Sequence, residues 1–284
     1  MCNEVRMPRD LLHVGNTKRN CDVRSCSSDS RRKGVVLQAM KIVSLVLVIA
    51  ACGGSSSGSN GGGGSDAPVG ADAQVFMDAP PSVPAMITIG GTAYDNGQNS
   101  STPLADVTIA LKNRTDDSTI VMTTSDAMGK YSMAVPTNGH VVDAYILATK
   151  SGYTDAAAFP AAPFAADNTK ADSNLVTTGN FNLLTLYTGQ QSASGIIVAA
   201  ILDSASMPVA GAAVTSSPAA GKYLYSDSNG TPAAGSGTNT DGAAFLVNVP
   251  PGPVSISATK SGATFKTHSV NAKPNTFTST VITE

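Results

Sequence analysis

The chemistry open to this chain depends on the segment around Cys52. Cys52 follows Ile49-Ala50-Ala51, which end an apolar run from Ile42 to Ile49 that is preceded by Lys41. A basic start, a short apolar core and small residues before a cleavage point are typical of a secretory signal peptide. The apolar core has eight residues, far fewer than the roughly 20 that a transmembrane helix needs. We therefore predict that residues 40–51 are a signal peptide.

The junction at Cys52 resembles the lipobox of bacterial lipoproteins, in which the cysteine is lipidated and becomes the mature N-terminus. The resemblance implies an exported, membrane-anchored protein, and the outer membrane if the cell has two, because Gly53 rather than Asp follows the cysteine. A buried strand or helix is the alternative, but it must explain the glycine-serine tract that begins immediately afterwards. Residues 1–39 are polar and are interpreted as an over-extended N-terminus, or else as a long n-region ending in Arg31-Arg32-Lys33.

The chain after residue 51 lacks the side chains that most enzyme mechanisms need. Cys52 is its only cysteine, so no internal disulfide, thiolate metal site or cysteine nucleophile is available. His140 and His268 fall in different repeats and are both expected to be exposed, and Glu284 is the one glutamate. No Gly-x-Ser-x-Gly, His-Glu-x-x-His or supported Ser-x-x-Lys pattern occurs. We predict a non-enzymatic protein with no catalytic residue, cofactor or metal.

Charge excludes a second class of function. After residue 51 there are nine Lys and Arg against 16 Asp and Glu, a net charge of −7. Nucleic-acid binding needs clustered basic residues for phosphate contacts, so we predict no nucleic-acid partner. The acidic residues lie in turns and leave Ca²⁺ binding at the sandwich ends as an alternative to solvated carboxylates; they are Asp95, Asp116, Asp117, Asp143, Asp203, Asp227 and Asp241.

Residues 52–85 read as a lipidated cysteine followed by a flexible linker. Gly53 to Ala85 is rich in Gly and Ser and then in Ala, Asp and Pro, a composition that cannot bury enough apolar surface to fold. A chain of this length has a root-mean-square reach on the order of 30 Å. The linker therefore holds the following residues clear of the membrane surface.

Beyond Ala85 the pattern is one of short strands separated by turn residues. Alternating segments such as Val107–Leu111 and Tyr131–Val135 lie between clusters of Asp, Asn, Gly and Pro, which predicts an all-β sandwich or barrel. Segment 180–187 is the exception. Its Asn180, three-residue apolar spacing and Gly189 favour a short helix, with a last strand as the alternative.

The strongest internal signal is a repeat. Pro103–Ile109, Ser125–Tyr131 and Ala148–Tyr153 have counterparts in Pro208–Val214, Thr240–Phe245 and Ala258–Gly262. Order, residue type and approximate spacing recur. Tyr131, Met133 and Val135 are expected to share one inward face, as are Phe245, Val247 and Val249, while the Asp and Gly residues suit tight turns.

These motifs resemble the carboxypeptidase regulatory-like family of small transthyretin-like β-sandwiches. Asp106 replaces the usual glycine in the first repeat, and Ala263 replaces the closing aromatic residue in the second. The resemblance implies two tandem Ig-like or transthyretin-like sandwiches, at residues 86–178 and 194–284, joined by an inter-domain segment at 179–193. Each is expected to fold alone, and no catalytic residue belongs to such a module.

Together these observations favour a lipid-anchored cell-envelope protein that presents two modules for binding or structural display. Its partners are the membrane, through the anchor, and possible envelope polysaccharide or protein. The alternative is an accessory or substrate-positioning subunit of an envelope hydrolase or carbohydrate-processing system. The stretch from Ser217 to Thr238, inserted in the second repeat, is the first candidate binding loop because it carries Tyr223, Tyr225 and Asp227. The alternative is that this stretch is a turn packed on its own repeat.

Overall fold

The computed structural model describes residues 82–97 and 101–284, and within them the chain is almost entirely β-structure. The predicted N-terminal extension, signal peptide, Cys52 and linker up to residue 81 lie outside these residues. The predicted all-β fold is confirmed. In chain order the strands are β1 Met86–Asn96, β2 Ser101–Pro103, β3 Thr108–Asn113, β4 Thr119–Thr124, β5 Lys130–Pro136, β6 Ala144–Thr149, β7 Tyr153–Phe159, β8 Ser173–Thr177, β9 Gly195–Leu202, β10 Ala213–Ser217, β11 Lys222–Ser226, β12 Pro232–Ala233, β13 Ala243–Val249, β14 Gly252–Lys260, β15 Ala263–Thr264, β16 His268–Ala272 and β17 Thr276–Thr283. One helix, α1 Thr178–Thr188, follows β8 directly.

The first repeat, residues 86–178, forms two facing layers of strands. In one layer β1 pairs antiparallel with β5 and parallel with β8, and β2 lies beside its end. In the other layer β3 pairs with β4 and β6, and β6 pairs with β7. β5 shows the expected alternation, since Tyr131, Met133 and Val135 are buried between exposed neighbours. Their predicted shared inward face is confirmed.

The second repeat, residues 194–284, reproduces the central pairing of the first. β9 pairs antiparallel with β13 and parallel with β17, as β1 does with β5 and β8. The opposite layer contains β14, which pairs with β10, β15 and β16. One strand changes place. β4 pairs with β3 in the first repeat, whereas β11 pairs with β13 and leaves β10 without that neighbour.

The C-terminal strand β17 joins the two repeats into one sheet. It pairs in parallel with β9 on one side and with β7 of the first repeat on the other, where Thr276 lies opposite Asp155 and Thr280 lies opposite Phe159. The continuous sheet runs in the order β12, β11, β13, β9, β17, β7, β6, β3, β4. The repeat pattern predicts two separate sandwiches and does not predict this shared strand.

The hydrophobic cores lie on opposite faces of the shared sheet. On β7, Ala156 and Ala158 belong to the first core, whereas Ala157 and Phe159 pack into the core of the second repeat. Side chains on a strand point alternately to the two faces, so one strand serves both cores. Each repeat therefore buries side chains that belong to the other.

The helix α1 covers part of the first-core face beside the second repeat. Thr177 caps its N-terminus by accepting a hydrogen bond from the Asn180 amide, and Gly189 ends it in the left-handed conformation. Phe181 and Leu184 pack on Ile196, Val198, Phe245, Val247 and Phe277.

This packing corrects one prediction for β13. Phe245 and Val247 do face α1, but Val249 belongs to the core on the other side of the sheet. The register against β9 shifts between Leu246 and Val249, where Asn248 has a positive φ of 58°. The extra residue rotates the end of the strand, so the simple alternation fails there.

The repeated turns are built alike in the two repeats. Gly129 and Gly242 have φ values of 73° and 67°, which favour glycine. A Cβ atom on either would lie 2.6 Å from a backbone oxygen, that of Ala93 or of Ile201. The recurring Asp-x-x-Gly and Asp-Gly motifs are therefore required by close backbone packing.

Candidate functional site

The structure places the predicted binding tyrosines in a strand and not in a loop. Tyr223 and Tyr225 lie in β11, and the Tyr225 side chain is buried, with 5% exposure of the residue. The Tyr225 hydroxyl accepts a hydrogen bond from the Val214 amide at 3.1 Å, and the Tyr223 hydroxyl accepts one from the Ser216 amide at 3.1 Å. Both hydroxyls are held by the backbone of β10, so the predicted loop position of the two tyrosines is wrong, and the alternative that this stretch packs on its own repeat agrees with these contacts.

Asp227, the third residue of the predicted loop, has a turn-forming role. Its carboxylate accepts hydrogen bonds from the amides of Asn229 and Thr231, at 2.8 and 2.9 Å. Such a carboxylate stabilises a tight turn after a strand. Ser228 and Asn229 are exposed at the tip of this turn. Binding by this segment stays a prediction, and this turn is one of its exposed parts, together with residues 217–219 and 234–236.

The tyrosine hydroxyls replace a neighbouring strand along β10. An edge strand presents unpaired N–H groups to solvent, and Tyr223 and Tyr225 satisfy those of Ser216 and Val214. Two residues before Val214, the Ala212 amide donates a hydrogen bond to the Thr238 hydroxyl at 3.0 Å. Side-chain oxygens therefore accept hydrogen bonds from three alternate backbone amides along this edge, those of Ala212, Val214 and Ser216.

The corresponding edge in the first repeat is that of β3. A side chain satisfies one amide just before this strand, and β4 pairs with the rest of the edge. The Ser125 hydroxyl accepts a hydrogen bond from the Val107 amide at 2.9 Å, in the position that Thr238 takes in the second repeat. Beyond Val107, β3 is paired with β4. The outer edge of the layer is therefore β4, which among the described strands pairs only with β3.

A polar cluster lies where the two repeats meet. Lys273, between β16 and β17, contacts the Asp117 carboxylate at 2.7 Å and donates a hydrogen bond to the Tyr145 hydroxyl at 2.8 Å. The Tyr145 hydroxyl in turn donates to Asp117 at 2.8 Å. Tyr145 stacks on Phe159 with ring centroids 4.5 Å apart. Asp117 and Tyr145 belong to the first repeat and Lys273 to the second, so the cluster links the two.

These contacts change the pKa values of the cluster. Burial raises the pKa of Asp117, but its hydrogen bonds from Lys273 and Tyr145 outweigh this, so the pKa is lowered overall. Burial lowers the pKa of Lys273, and the bonds to Asp117 and Tyr145 more than compensate, so it is raised. Lys273 and Asp117 therefore form a charged pair at neutral pH.

Arg114 makes the second polar link between the repeats. Its Nε atom lies 2.9 Å from the Asp143 carboxylate, its Nη1 atom donates to the Ser269 carbonyl at 2.8 Å, and its guanidinium lies 5.6 Å from the Phe159 ring centroid. His268 is next to Ser269 on β16. Although it is predicted to be exposed, His268 is buried, with 7% exposure. Burial first, and then the positive charge of Arg114, lower the pKa of His268 to about 4.

An open cleft lies at the end of the second repeat, where β14 turns into β15. It has a volume of about 600 Å³ and is lined by Gly211, Ala258, Thr259, Lys260, Ser261, Ala263, Thr264 and Phe265. Phe265 is partly buried, and Lys260 and Ser261 are exposed. One aromatic face, hydroxyl groups and an amine border the cleft.

The aspartates of the described turns bond to their own backbone. Asp126, Asp203 and Asp227 each accept two backbone N–H hydrogen bonds within their own turn. Within residues 82–97 and 101–284, no group of three or more His, Cys, Asp and Glu side chains could hold a metal ion. Over the same residues, no helix is both long and apolar enough to cross a bilayer.

Comparison with known proteins identifies no family. No family model and no curated protein matches the chain. The TIE protein of Bacillus anthracis is 15% identical with a TM-score of 0.24 over 69% of this chain and 33% of its own. The shaft pilin SpaA of Lactobacillus rhamnosus GG is 14% identical with a TM-score of 0.23, over 70% and 97%.

A third solved structure, the minor pilin GBS52 of Streptococcus agalactiae, is 10% identical with a TM-score of 0.23 over 70% of this chain and 96% of its own. The chain matches only a third of the length of the TIE protein. Similarity at this level gives this chain neither a ligand nor a partner.

Proposed function

We propose that this protein is a non-enzymatic, lipid-anchored component of the cell envelope that presents its two β-sandwich repeats as one stiff body for binding or structural display. One observation carries the proposal: β17 is hydrogen-bonded to β9 on one side and to β7 on the other. Movement of one repeat against the other would break a backbone ladder of five opposed residue pairs. A body without a hinge suits a role in holding a surface at a fixed distance from the membrane.

Packing at the junction supports the same role. Tyr145 and Phe159 are fully buried and belong to the first repeat, yet they pack against Ile197, Ile201 and Ile282 of the second. Burying one such side chain stabilises a fold by about 1.5–3 kcal/mol. Interfaces between domains that move are usually smaller and more polar. The junction is therefore built like the interior of a domain.

Anchoring is tested with the full chain expressed in a lipoprotein-processing bacterium. We expect membrane fractions to contain a protein that begins at Cys52 and carries the mass of several acyl chains, since one chain alone anchors weakly. Cys52→Ala is expected to remove the acyl mass and leave the protein soluble or uncleaved. Cys26→Ala, ahead of the predicted cleavage point, is the matched control and should change neither result. A mature N-terminus without acyl mass contradicts the anchor.

Stiffness is tested by measuring the distance between spin labels on the two repeats. Met128 and Met207 are exposed and lie in turns of different repeats. Cysteines at both positions, labelled in the full chain, are expected to give one narrow distance distribution. Two populations, or a distribution as broad as that of a flexibly linked pair, contradict a stiff body.

The cleft beside Phe265 favours a second candidate function, that of an accessory or substrate-positioning subunit of an envelope hydrolase or carbohydrate-processing system. Aromatic faces and hydroxyl groups are suited to stacking on sugar rings and bonding their hydroxyls. In a pull-down with envelope polysaccharide, Phe265→Ala is expected to reduce capture, and Tyr187→Ala, at an exposed aromatic residue on α1, is the control. Equal capture by both variants contradicts this role, and hydrolytic turnover by the purified protein contradicts the non-enzymatic assignment.

A further inference from the structure

The two ends of the shared sheet differ in how they are protected. At one end β12 has only two residues, Pro232 and Ala233, and a short edge containing proline is a common protection against strand addition. At the other end β4 has six residues, Thr119-Ile120-Val121-Met122-Thr123-Thr124, with no charge and no proline. Its outer side pairs with no described strand. β4 is therefore the less protected end of the sheet.

The side chains of β4 are suited to pairing with a copy of themselves. Val121 and Thr123 lie opposite the buried Leu111 and Ile109, so they face the core, and Met122 points to the other face and is 62% exposed. An antiparallel pair related by a two-fold axis through Met122 sets Met122 opposite itself and Val121 opposite Thr123. The first pair joins two apolar side chains and the second two β-branched side chains, and neither sets like charges opposite each other.

We propose that β4 pairs antiparallel with β4 of a second copy of this chain around a two-fold axis at Met122. The pairing extends the nine strands of each shared sheet across the dimer. A two-fold contact uses the same edge of both copies and closes on itself. Once two copies have paired, no β4 edge is left for a third, so this contact joins two copies and no more.

The length of the pairing is set by an irregularity in β4. The register against β3 shifts between Leu111 and Lys112, so Ile120 is an extra residue in β4. A bulge of this kind twists the edge and ends regular pairing. The dimer contact is therefore short and its affinity in dilute solution is weak. Copies anchored in one membrane meet at a much higher effective concentration, which favours pairing.

This inference goes beyond the proposed function and does not depend on the anchor, because the edge is the same in a soluble chain. The first test is an oxidative cross-link in the full chain. Opposed residues of an antiparallel pair have Cα atoms about 4.5–5.5 Å apart, within the range for a disulfide. Met122→Cys, treated with copper phenanthroline in membranes and as concentrated purified protein, is expected to give a disulfide-linked dimer.

Met207→Cys is the matched control, because Met207 is also exposed but lies in a turn of the second repeat. It is expected to give at least tenfold less dimer than Met122→Cys. Equal yields from the two variants overturn the proposal. A Met122→Cys cross-link to a different protein also overturns it, since the edge then receives another chain.

A second test measures the association without cross-linking. Met122→Lys sets two positive charges against each other at the axis, and like charges directly opposite each other destabilise strand pairing. Sedimentation of the purified full chain is expected to show at least a tenfold weaker dimer for Met122→Lys and no change for Met207→Lys. Association that is equal in both variants, or absent from the unmodified chain at high concentration, is incompatible with the β4 contact.

Discussion

The first repeat covers its β3 edge with a strand, whereas the second covers the equivalent β10 edge with side chains. In the first repeat β4 pairs along β3 and becomes the new edge. In the second, β11 crosses to the other layer to pair with β13, and Tyr223 and Tyr225 reach back to the amides of β10. The first repeat thus has an unpaired backbone edge at β4, whereas in the second repeat tyrosine hydroxyls satisfy the amides of the equivalent β10 edge.

The same comparison extends to the cores. The first repeat contributes Tyr145 and Phe159 to the core of the second, and the second contributes Leu202 and Val281 to the core of the first. Two halves that look like independent modules in sequence are therefore expected to unfold together.

The largest expected effect is that of Phe159→Ala. Phe159 is fully buried, stacks on Tyr145 and lies beneath the Arg114 guanidinium. Removing a buried Phe costs about 3–5 kcal/mol of unfolding free energy, because it leaves a cavity. Chemical denaturation is expected to remain a single transition at lower denaturant. Hydrogen exchange should rise in β9 and β13 of the second repeat as well as in β7.

Met133→Ala is the control for Phe159→Ala, because it is also a large-to-small substitution but affects the first core only. Met133→Ala removes a side chain buried in the first repeat, away from the shared strand. Met133→Ala shows the hydrogen-exchange pattern of a change confined to the first core. If Phe159→Ala also raises hydrogen exchange only in the first repeat, the two repeats are not coupled.

The next effect is a loss of stability in acid that arises in the second repeat. His268 has a folded pKa of about 4, whereas a histidine in an unfolded chain has a pKa of about 6.5. Between these values the unfolded state binds a proton that the folded state does not, so stability falls as pH falls. The slope is about 1.4 kcal/mol per pH unit for one proton. Urea denaturation from pH 7 to pH 4 measures it.

His268→Gln is expected to flatten the pH dependence between pH 6.5 and 4. His140→Gln, at the exposed histidine of the first repeat, is the control and should keep the slope of the unmodified chain. An unchanged slope in His268→Gln would falsify the assignment of the acid sensitivity to this buried side chain.

Tyr225→Phe tests the sealed edge and is expected to have a smaller effect. The substitution keeps the ring but leaves the Val214 amide without its partner, and an unsatisfied buried donor costs about 1–3 kcal/mol. The Val214 amide should exchange with solvent faster than in the unmodified chain. Tyr187→Phe, on the exposed side of α1, should alter neither stability nor exchange. Unchanged exchange at Val214 in Tyr225→Phe contradicts the sealing role.

The smallest effect is expected for Lys273→Gln at the junction. The ion pair between Lys273 and Asp117 is partly exposed, at 29% and 38% of the side-chain surfaces, and pairs of this kind contribute about 0.2–1 kcal/mol. We expect a small loss of stability at low salt that shrinks as salt is added. A loss above this range shows that the polar cluster, and not the apolar packing, holds the repeats together.

The all-β fold and the repeated turns are predictable because they are local. Asp126 and Gly129 specify a turn by their own hydrogen bond and positive φ, and the alternation of Tyr131, Met133 and Val135 specifies an inward face. Gly189 likewise ends the predicted helix, whereas the N-cap is Thr177 and Asn180 lies within the first turn. Each of these features depends on residues a few positions apart.

The arrangement of strands was not predictable from the same pattern. β11 contains two tyrosines at alternate positions, which is compatible with pairing to β10 or to β13, and burial of Tyr225 decides between them only in the folded state. His268 is polar and is therefore expected at the surface, yet it shares the buried face of β16 with Val270 and Ala272. One sequence signal is available: Thr276–Thr283 has no charge, Pro or Gly and has β-branched residues on both faces, which is compatible with a strand buried on both sides.

The position of β17 after all the strands that it joins has a consequence for the order of folding. Its contacts with β7 join residues 121 positions apart, as between Thr280 and Phe159, and pairing at such separation is slow because a long loop must close first. A chain that emerges from its N-terminus cannot complete the junction of the two cores until the eight-residue strand β17 is released. Until then the β7 edge stays open to aggregation, so folding of both repeats waits for β17.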